Sequence, residues 1–326
     1  MSWNAKAGGA WQSVKNGYVK VGGAWMAVKG AWVKADGVWK SVLNGWTLKS
    51  ENTADPSIYG HLAVVGGNLY YLGGILSGMS SATNRVTKYD PVTDTWAYHG
   101  STGAIRKNDG ACVVRGNRYI HVFGGTDSYS AHIAYDTVTG IAATKAAIYA
   151  SQGPVMGVSN SGDIYAAGGL DGSPRTYLRK WVDNGGTGTT TALTAMPAAR
   201  AWGLGGCIAE KIYHFGGQDA GGNWMTDGYV FDIEMNSWST AASLPEAAAH
   251  APHFIKNGKL YYVNNTGHTF IYDPATNSWS QGPDCPLDTY YGKGAASDLY
   301  AIAYVHGGFA NGTGAVTGRT YALTIT

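Results

Sequence analysis

The chain has 326 residues, of which 44% are hydrophobic and 13% charged, and its net charge is +2. That balance excludes an intrinsically disordered chain, and no apolar stretch approaches the ~18 residues of a membrane-spanning helix. Glycine, at 48 copies, is about twice its ~7% average while charged residues are about half their ~25%, the profile of an all-β protein of short strands and tight turns.

The small net charge hides a split. Residues 1–50 hold seven lysines against Asp36, a net of +6, and the remainder carries 16 basic against 20 acidic side chains, a net of −4. The lysines fall at strand intervals and are not mixed with arginine, so they do not form a nucleic-acid footprint. Cys112, Cys207 and Cys285 are odd in number and far apart, which argues against both a disulfide framework and a zinc site. No cofactor is implied. The start "MSWNAKAGGAW" lacks the apolar core of a signal peptide, and a protein made in a cytoplasm, without membrane insertion, is expected.

Residues 8–46 place an aromatic side chain at every seventh position: Trp11, Tyr18, Trp25, Trp32, Trp39 and Trp46. A coiled coil would need helix formers where this segment has glycine. Short strands joined by two-residue turns at Asn16-Gly17, Gly22-Gly23, Asp36-Gly37 and Asn44-Gly45 fit instead, so an antiparallel meander is predicted over residues 1–44. A turn at Asn16-Gly17 sets Lys15 opposite Tyr18 and gathers Trp11, Tyr18, Lys20 and Trp25 on one face. A sheet of this size is near the limit of independent stability, which makes Trp11, Tyr18, Trp25, Trp32 and Trp39 an expected assembly surface for a homo-oligomer, with a trimer as one symmetric solution.

From residue 55 a longer period begins, marked by an apolar run ending in paired glycine: "LYYLGG", "IHVFGG", "IYAAGG", "IYHFGG" and "AYVHGG", with "LYYVNN" at 260–265 as the odd member. The first residue of each pair falls at 73, 124, 168, 216, 264 and 307. Asparagine tolerates positive φ, so Asn264-Asn265 is expected to stand in for diglycine. Three units add a Tyr or Phe followed seven residues later by Trp: Tyr89/Trp96, Phe231/Trp238 and Tyr272/Trp279.

Period and markers together resemble the kelch repeat, over about 270 residues. The resemblance implies a six-bladed kelch-type β-propeller over 45–326, each blade a four-stranded antiparallel sheet with these aromatics in the blade interfaces. The last unit ends at "TYALTIT", so "GWTLKS", residues 45–50, is the expected closing strand, with Trp46 in the Trp position.

In such a blade the loops after the diglycines share a face with the connections between blades. That face is the candidate binding surface, with Arg106, Tyr129, Arg175, Arg200, Trp224, His250, Tyr290, Tyr291 and Arg319 as its candidate residues. No nucleophile with a base, carboxylate pair or metal cluster is evident beyond the pair in "HAPH", 250–253, so no catalytic or metal-binding residue is assigned.

The tandem "GYVKVGGAW" segments resemble short Trp/Lys-rich repeats in structural proteins of tailed bacteriophages. That resemblance implies a virion protein, tail-associated, assembled in the host cytoplasm. Its N-terminal repeat would join other virion structural proteins, and its propeller would bind a host surface receptor, a glycan or a protein. A kelch-type carbohydrate oxidase or isomerase, and an intracellular kelch interaction scaffold, are the alternative readings.

Overall fold

The computed structural model describes residues 3–7, 10–15, 18–21, 24–27, 32–35, 38–41, 45–53, 57–76, 82–103, 110–125, 130–149, 152–286, 289–297, 299–310 and 315–325. The chain divides into two compact units, Met1–Gly45 and Trp46–Thr326.

In the first unit the strands Trp3–Ala7, Ala10–Lys15, Tyr18–Val21 and Ala24–Ala27 pair in chain order as an antiparallel sheet, and Trp32–Ala35 pairs with Val38–Ser41. The repeat is therefore a four-stranded meander and a separate hairpin, with a strand at Trp3–Ala7 that the seven-residue period does not mark. Its register sets a lysine across from most of the aromatics: Lys6 opposite Trp11, Lys15 opposite Tyr18, Lys20 opposite Trp25 and Lys34 opposite Trp39. The side chains of Trp11, Tyr18, Trp25, Trp32 and Trp39, expected to form an assembly surface, lie outside the described residues.

The second unit is a six-bladed propeller. Its first blade runs His61–Val65, Asn68–Leu72, Arg85–Asp90, Thr95–Ser101, and its second Ala111–Arg115, Tyr119–Phe123, His132–Asp136, Ile141–Lys145. The third is Val155–Val158, Ile164–Ala167, Leu178–Val182, Thr189–Ala192, and the fourth Leu204–Ile208, Lys211–Phe215, Gly228–Asp232, Ser237–Ala241. The fifth is His253–Lys256, Lys259–Val263, Thr269–Asp273, Ser278–Gln281. The sixth joins Lys293–Ala296, Ile302–His306 and Thr320–Thr324 to Trp46–Lys49 from the other end of the unit. The first strands adjoin one another around the axis, and Lys293–Ala296 returns against His61–Val65.

Successive residues of a strand point to opposite faces of its sheet, and here both faces are buried. Leu62 and Val64 pack toward the sixth blade while Ala63 and Val65 pack toward the second, and among the described residues each of the six blade interfaces has its own apolar cluster. Tyr89, Tyr135, Phe231 and Tyr272 are buried in these clusters. The tryptophans of the period add a directional bond. Trp96, Trp238, Trp279 and Trp46 donate their indole N–H to Ser50 O (3.0 Å), Thr194 O (2.9 Å), Ala242 O (3.0 Å) and Pro283 O (3.2 Å), each a carbonyl of the preceding blade. Trp46 lies opposite Leu323, as Trp96 lies opposite Tyr89, so the closing strand carries the same latch.

The diglycines bring the interblade connections down onto the sheets. A Cβ on Gly168 (φ +70°) would meet Arg200 O at 2.5 Å, and one on Gly217 (φ +85°) would meet Ala201 O at 2.6 Å, so no side chain fits there. The fifth blade reaches its turn differently from the sequence expectation. Asn264 and Asn265 are not left-handed; Asn264 Oδ1 accepts from Thr266 N (3.0 Å) and His268 N (2.8 Å), and Gly267 takes φ +89°. The asparagine replaces the diglycine through its side chain, as an Asx turn, and not through its backbone tolerance.

Candidate functional site

Among the described residues, the connections between blades enter the next first strand through a residue two positions ahead of it, or three at His250. Four of these junction residues are aromatic and left-handed: Tyr59 (φ 59°), Trp202 (57°), His250 (56°) and Tyr291 (63°). Gly153, with φ 52°, occupies the same place between the second and third blades. For bulky residues this backbone region is a true outlier, worth on the order of 1–3 kcal/mol of strain each, and it persists only where surrounding structure imposes it.

The imposing structure is a chain of backbone bonds around the axis. Trp202 N donates to Gly153 O (2.8 Å) and His250 N to Trp202 O (3.0 Å), so these two junctions turn their amides onto the carbonyl of the one before. Second-strand ends hold the same connections from below, with Gly169 N on Arg200 O (2.7 Å) and Gly217 N on Ala248 O (2.8 Å). Positive φ is what this geometry demands, and it aligns the four rings along the mouth of the central channel.

The rings then touch in sequence. Trp202 stacks on His250 at 4.6 Å between centroids, His250 meets Tyr291 edge-on at 4.6 Å, and Tyr291 lies 5.1 Å from Tyr59. Phe309 closes the arc against Tyr59 and Tyr291, at 6.2 Å from each. A Cβ on Gly153 would fall 2.1 Å from the Trp202 ring, so this glycine is the seat on which the indole lies.

Two cavities of about 400 Å³ each meet at His250. One lies among the loops, with Ala247–Pro252 as its floor and Trp224, Asn264, Asn265 and Tyr291 around it. The other follows the axis between the first strands, where Cys112, Cys207, His61, His253 and Lys293 stand among Val113, Met156 and Ile255.

The chemistry of this lining is quiet. Burial pushes the Cys112 thiol up to about 12 and the Cys207 thiol to about 11, so neither is a thiolate at neutral pH. Burial also holds His250 down to about 3 and His253 to about 4, leaving neutral imidazoles. Among the described residues no group of three His, Cys, Asp or Glu side chains is placed to hold a metal ion. Aromatic faces, amide side chains and a small-residue floor are suited to holding a ligand by stacking and hydrogen bonding.

Of the residues expected from sequence, Trp224, His250 and Tyr291 come together at the loop cavity, with Trp224 42% exposed. Arg175 and Arg319 stand apart on the same face, in the third and sixth blades, and Tyr290 pairs through its backbone with Phe309. Arg106, Tyr129 and the Tyr290 side chain lie outside the described residues. Arg200 needs correction as a surface contact. It is 8% exposed, its Nη2 donates to Asp227 Oδ2 (2.7 Å) and its Nη1 to Ala199 O (2.7 Å), so its guanidinium braces the connection from within. Tyr59 and Trp202 were missed, although an aromatic-glycine dipeptide recurs at Tyr59-Gly60, Trp202-Gly203 and Tyr291-Gly292.

The kelch motif family matches residues 205–245, the fourth blade. Among curated proteins, the chain is 27% identical over 288 residues to kelch-like protein terF of Aspergillus terreus, covering 83% of this chain and 53% of that protein. It is 24% identical over 251 residues to kelch-like protein 36 of Mus musculus, covering 69% and 40%. The chain thus spans about half the length, or less, of these relatives. The solved structure of YjhT superposes with a TM-score of 0.67 at 16% identity, covering 83% of this chain and 95% of that one, a likeness of fold. Ring, repeat and motif agree: the second unit is a kelch-repeat propeller.

Proposed function

We propose that this protein is a binding protein without catalytic activity, whose propeller takes a surface glycan at the mouth of its channel while its N-terminal repeat attaches it to a larger assembly. The observation that carries the reading is the arc of Trp202, His250, Tyr291 and Tyr59, whose left-handed backbones hold four rings at one place. Strain of this kind clusters where ligands bind, and aromatic faces beside amides suit the apolar faces and hydroxyls of a sugar. Protonated thiols and neutral imidazoles in the channel favour binding over nucleophilic chemistry. Calorimetry with a panel of neutral oligosaccharides tests the site on the full chain. Trp202→Ala and Tyr291→Ala should each weaken binding tenfold or more, about the worth of one aromatic contact; wild-type affinity in both would sink the proposal.

The assembly we favour is a bacteriophage virion, with the propeller as a tail-associated appendage; this rests on the Trp/Lys repeat and on its net +6 against −4 for the rest. Light scattering on the full chain and on a fragment from Leu43 tests the attachment role, for which an oligomeric full chain and a monomeric fragment are expected. A second reading, an intracellular kelch interaction scaffold, is favoured by the kelch-like relatives. On that reading the mouth would hold a peptide, and peptide capture without any glycan binding would select it.

A further inference from the structure

The rim of the third blade carries a separate feature. Tyr177 lies just ahead of the third strand Leu178–Val182, and its carbonyl accepts the Gly168 amide at 2.8 Å, so the diglycine turn fixes its backbone. Tyr149, from the connection entering this blade, meets the Tyr177 ring edge-on at 5.6 Å and 89°, and the Tyr149 hydroxyl donates to Gly168 O. Two guanidinium groups use this fixed ring: Arg179 Cζ stands 4.8 Å and Arg175 Cζ 5.6 Å from its centroid.

The two arginines differ in what else they bind. Arg175 Nη2 donates to Asp171 O (2.6 Å) and to Asp171 Oδ2 (3.3 Å), while its Nε is buried without a partner. The Arg179 guanidinium makes no ion pair or hydrogen bond with the described residues, and the tyrosine face is what orients it. Among the described residues one carboxylate, Asp171, pairs with Arg175, and none pairs with Arg179. A guanidinium held over an aromatic ring keeps N–H groups for a planar or tetrahedral anion, with less rotamer freedom left to lose on binding.

We propose that Arg179 and Arg175, presented on Tyr177, form an anion-binding subsite for the carboxylate or sulfate groups of an acidic polymer, distinct from the aromatic mouth. The subsite reads charge, whereas the mouth reads rings and hydroxyls, so a polymer crossing the diglycine face meets both kinds of contact. Failure of either site leaves the other standing, because the neutral oligosaccharides that test the mouth carry no group for the arginines.

The experiment is calorimetric titration of the full chain with oligogalacturonate, dextran sulfate and neutral dextran, at low and at physiological salt. Binding to at least one polyanion and not to dextran is expected, weakening with salt as exposed charges are screened. Arg179→Gln should weaken it about tenfold or more, the scale of one charge-assisted hydrogen bond. Arg179→Lys, which keeps the charge and loses the planar fork, should weaken it too. Lys88→Gln removes the same charge elsewhere in the propeller and should leave it unchanged. Loss toward oligogalacturonate alone assigns a carboxylate, and loss toward dextran sulfate alone a sulfate ester. No polyanion binding, or equal losses in Arg179→Gln and Lys88→Gln, would overturn the subsite.

Discussion

The two faces of the propeller meet the same geometric demand with opposite residue choices. On the turn face, the hairpins between third and fourth strands need a left-handed residue and supply Asp94, Gly140, Asn236 or Asn277, types for which that conformation is inexpensive. Each such hairpin is also capped by its own acid: Asp90 accepts from Val92 N (2.8 Å), Asp136 from Val138 N (2.9 Å) and Asp273 from Ala275 N (2.9 Å). On the diglycine face the junctions need left-handed residues as well, yet supply Tyr, Trp, His and Tyr. On the turn face the hairpins between third and fourth strands follow local preference and only Ala209-Glu210 (φ 48° and 58°), between first and second strands of the fourth blade, departs from it among the described residues, whereas the mouth departs from it four times in one place. A sequence that breaks a local rule repeatedly at one site is serving something other than the fold.

The largest effect that would sharpen this contrast comes from pH, because the interior behind the mouth is rich in histidine while the turn face has none of these buried groups. Burial holds His121, His214 and His306 down to about 3 and His253 to about 4. Below pH ~6.5 the unfolded chain takes up protons that the folded chain refuses, so stability falls as pH drops from 6.5 toward 4. Each histidine contributes up to about 1.4 kcal/mol per pH unit, and denaturant titrations at pH 7 and pH 5 should differ by several kcal/mol. Equal midpoints at the two pH values would show that these imidazoles are charged in the folded protein.

A smaller effect separates the faces directly. Alanine at a left-handed position keeps the strain and glycine removes it, so Trp202→Gly should be more stable than Trp202→Ala by about 1 kcal/mol, the reverse of the usual order. Asn236→Gly and Asn236→Ala should show the same order. Ligand binding should fall in both Trp202 variants and in neither Asn236 variant; loss in all four would place the ligand elsewhere.

The smallest effect is expected among the ion pairs of the turn face, where Lys211 meets Asp232, and Lys259 meets Asp273 at 2.8 Å. Both lysine side chains are 43% exposed, so screening leaves each pair little value. Lys259→Met should leave the denaturant midpoint within the error of the titration and ligand binding intact. A shift well outside that error would mean that these pairs, and not the apolar interfaces, hold the blades in register.

How much of this could be read in advance depended on whether the signal was local or convergent. The diglycine strands and the Tyr and Trp positions recur along the chain because each blade needs the same buried contacts, and repetition makes a pattern visible without coordinates. Asn264 was read for its tolerance of positive φ, whereas its side chain makes the turn, a choice between two uses of one residue that only the neighbouring amides resolve. Arg200 looked like a surface contact because its connection does lie on the surface; the half-buried Asp227 that engages it is 27 residues further along. Arg175 was singled out while its partner Arg179 was not, since a cation–π platform has no fixed spacing.

By itself the sequence determined the strand period, the six-unit count and the apolar character of both sheet faces, because hydrophobic patterning and glycine placement act within a few residues of one another. Only the tertiary structure decided the mouth. Tyr59, Trp202, His250 and Tyr291 are strung over more than two hundred residues, and they become one site because ring closure brings their junctions to the axis, where left-handed backbones set the four rings against one another and the Trp202 and His250 amides bond to the junction before.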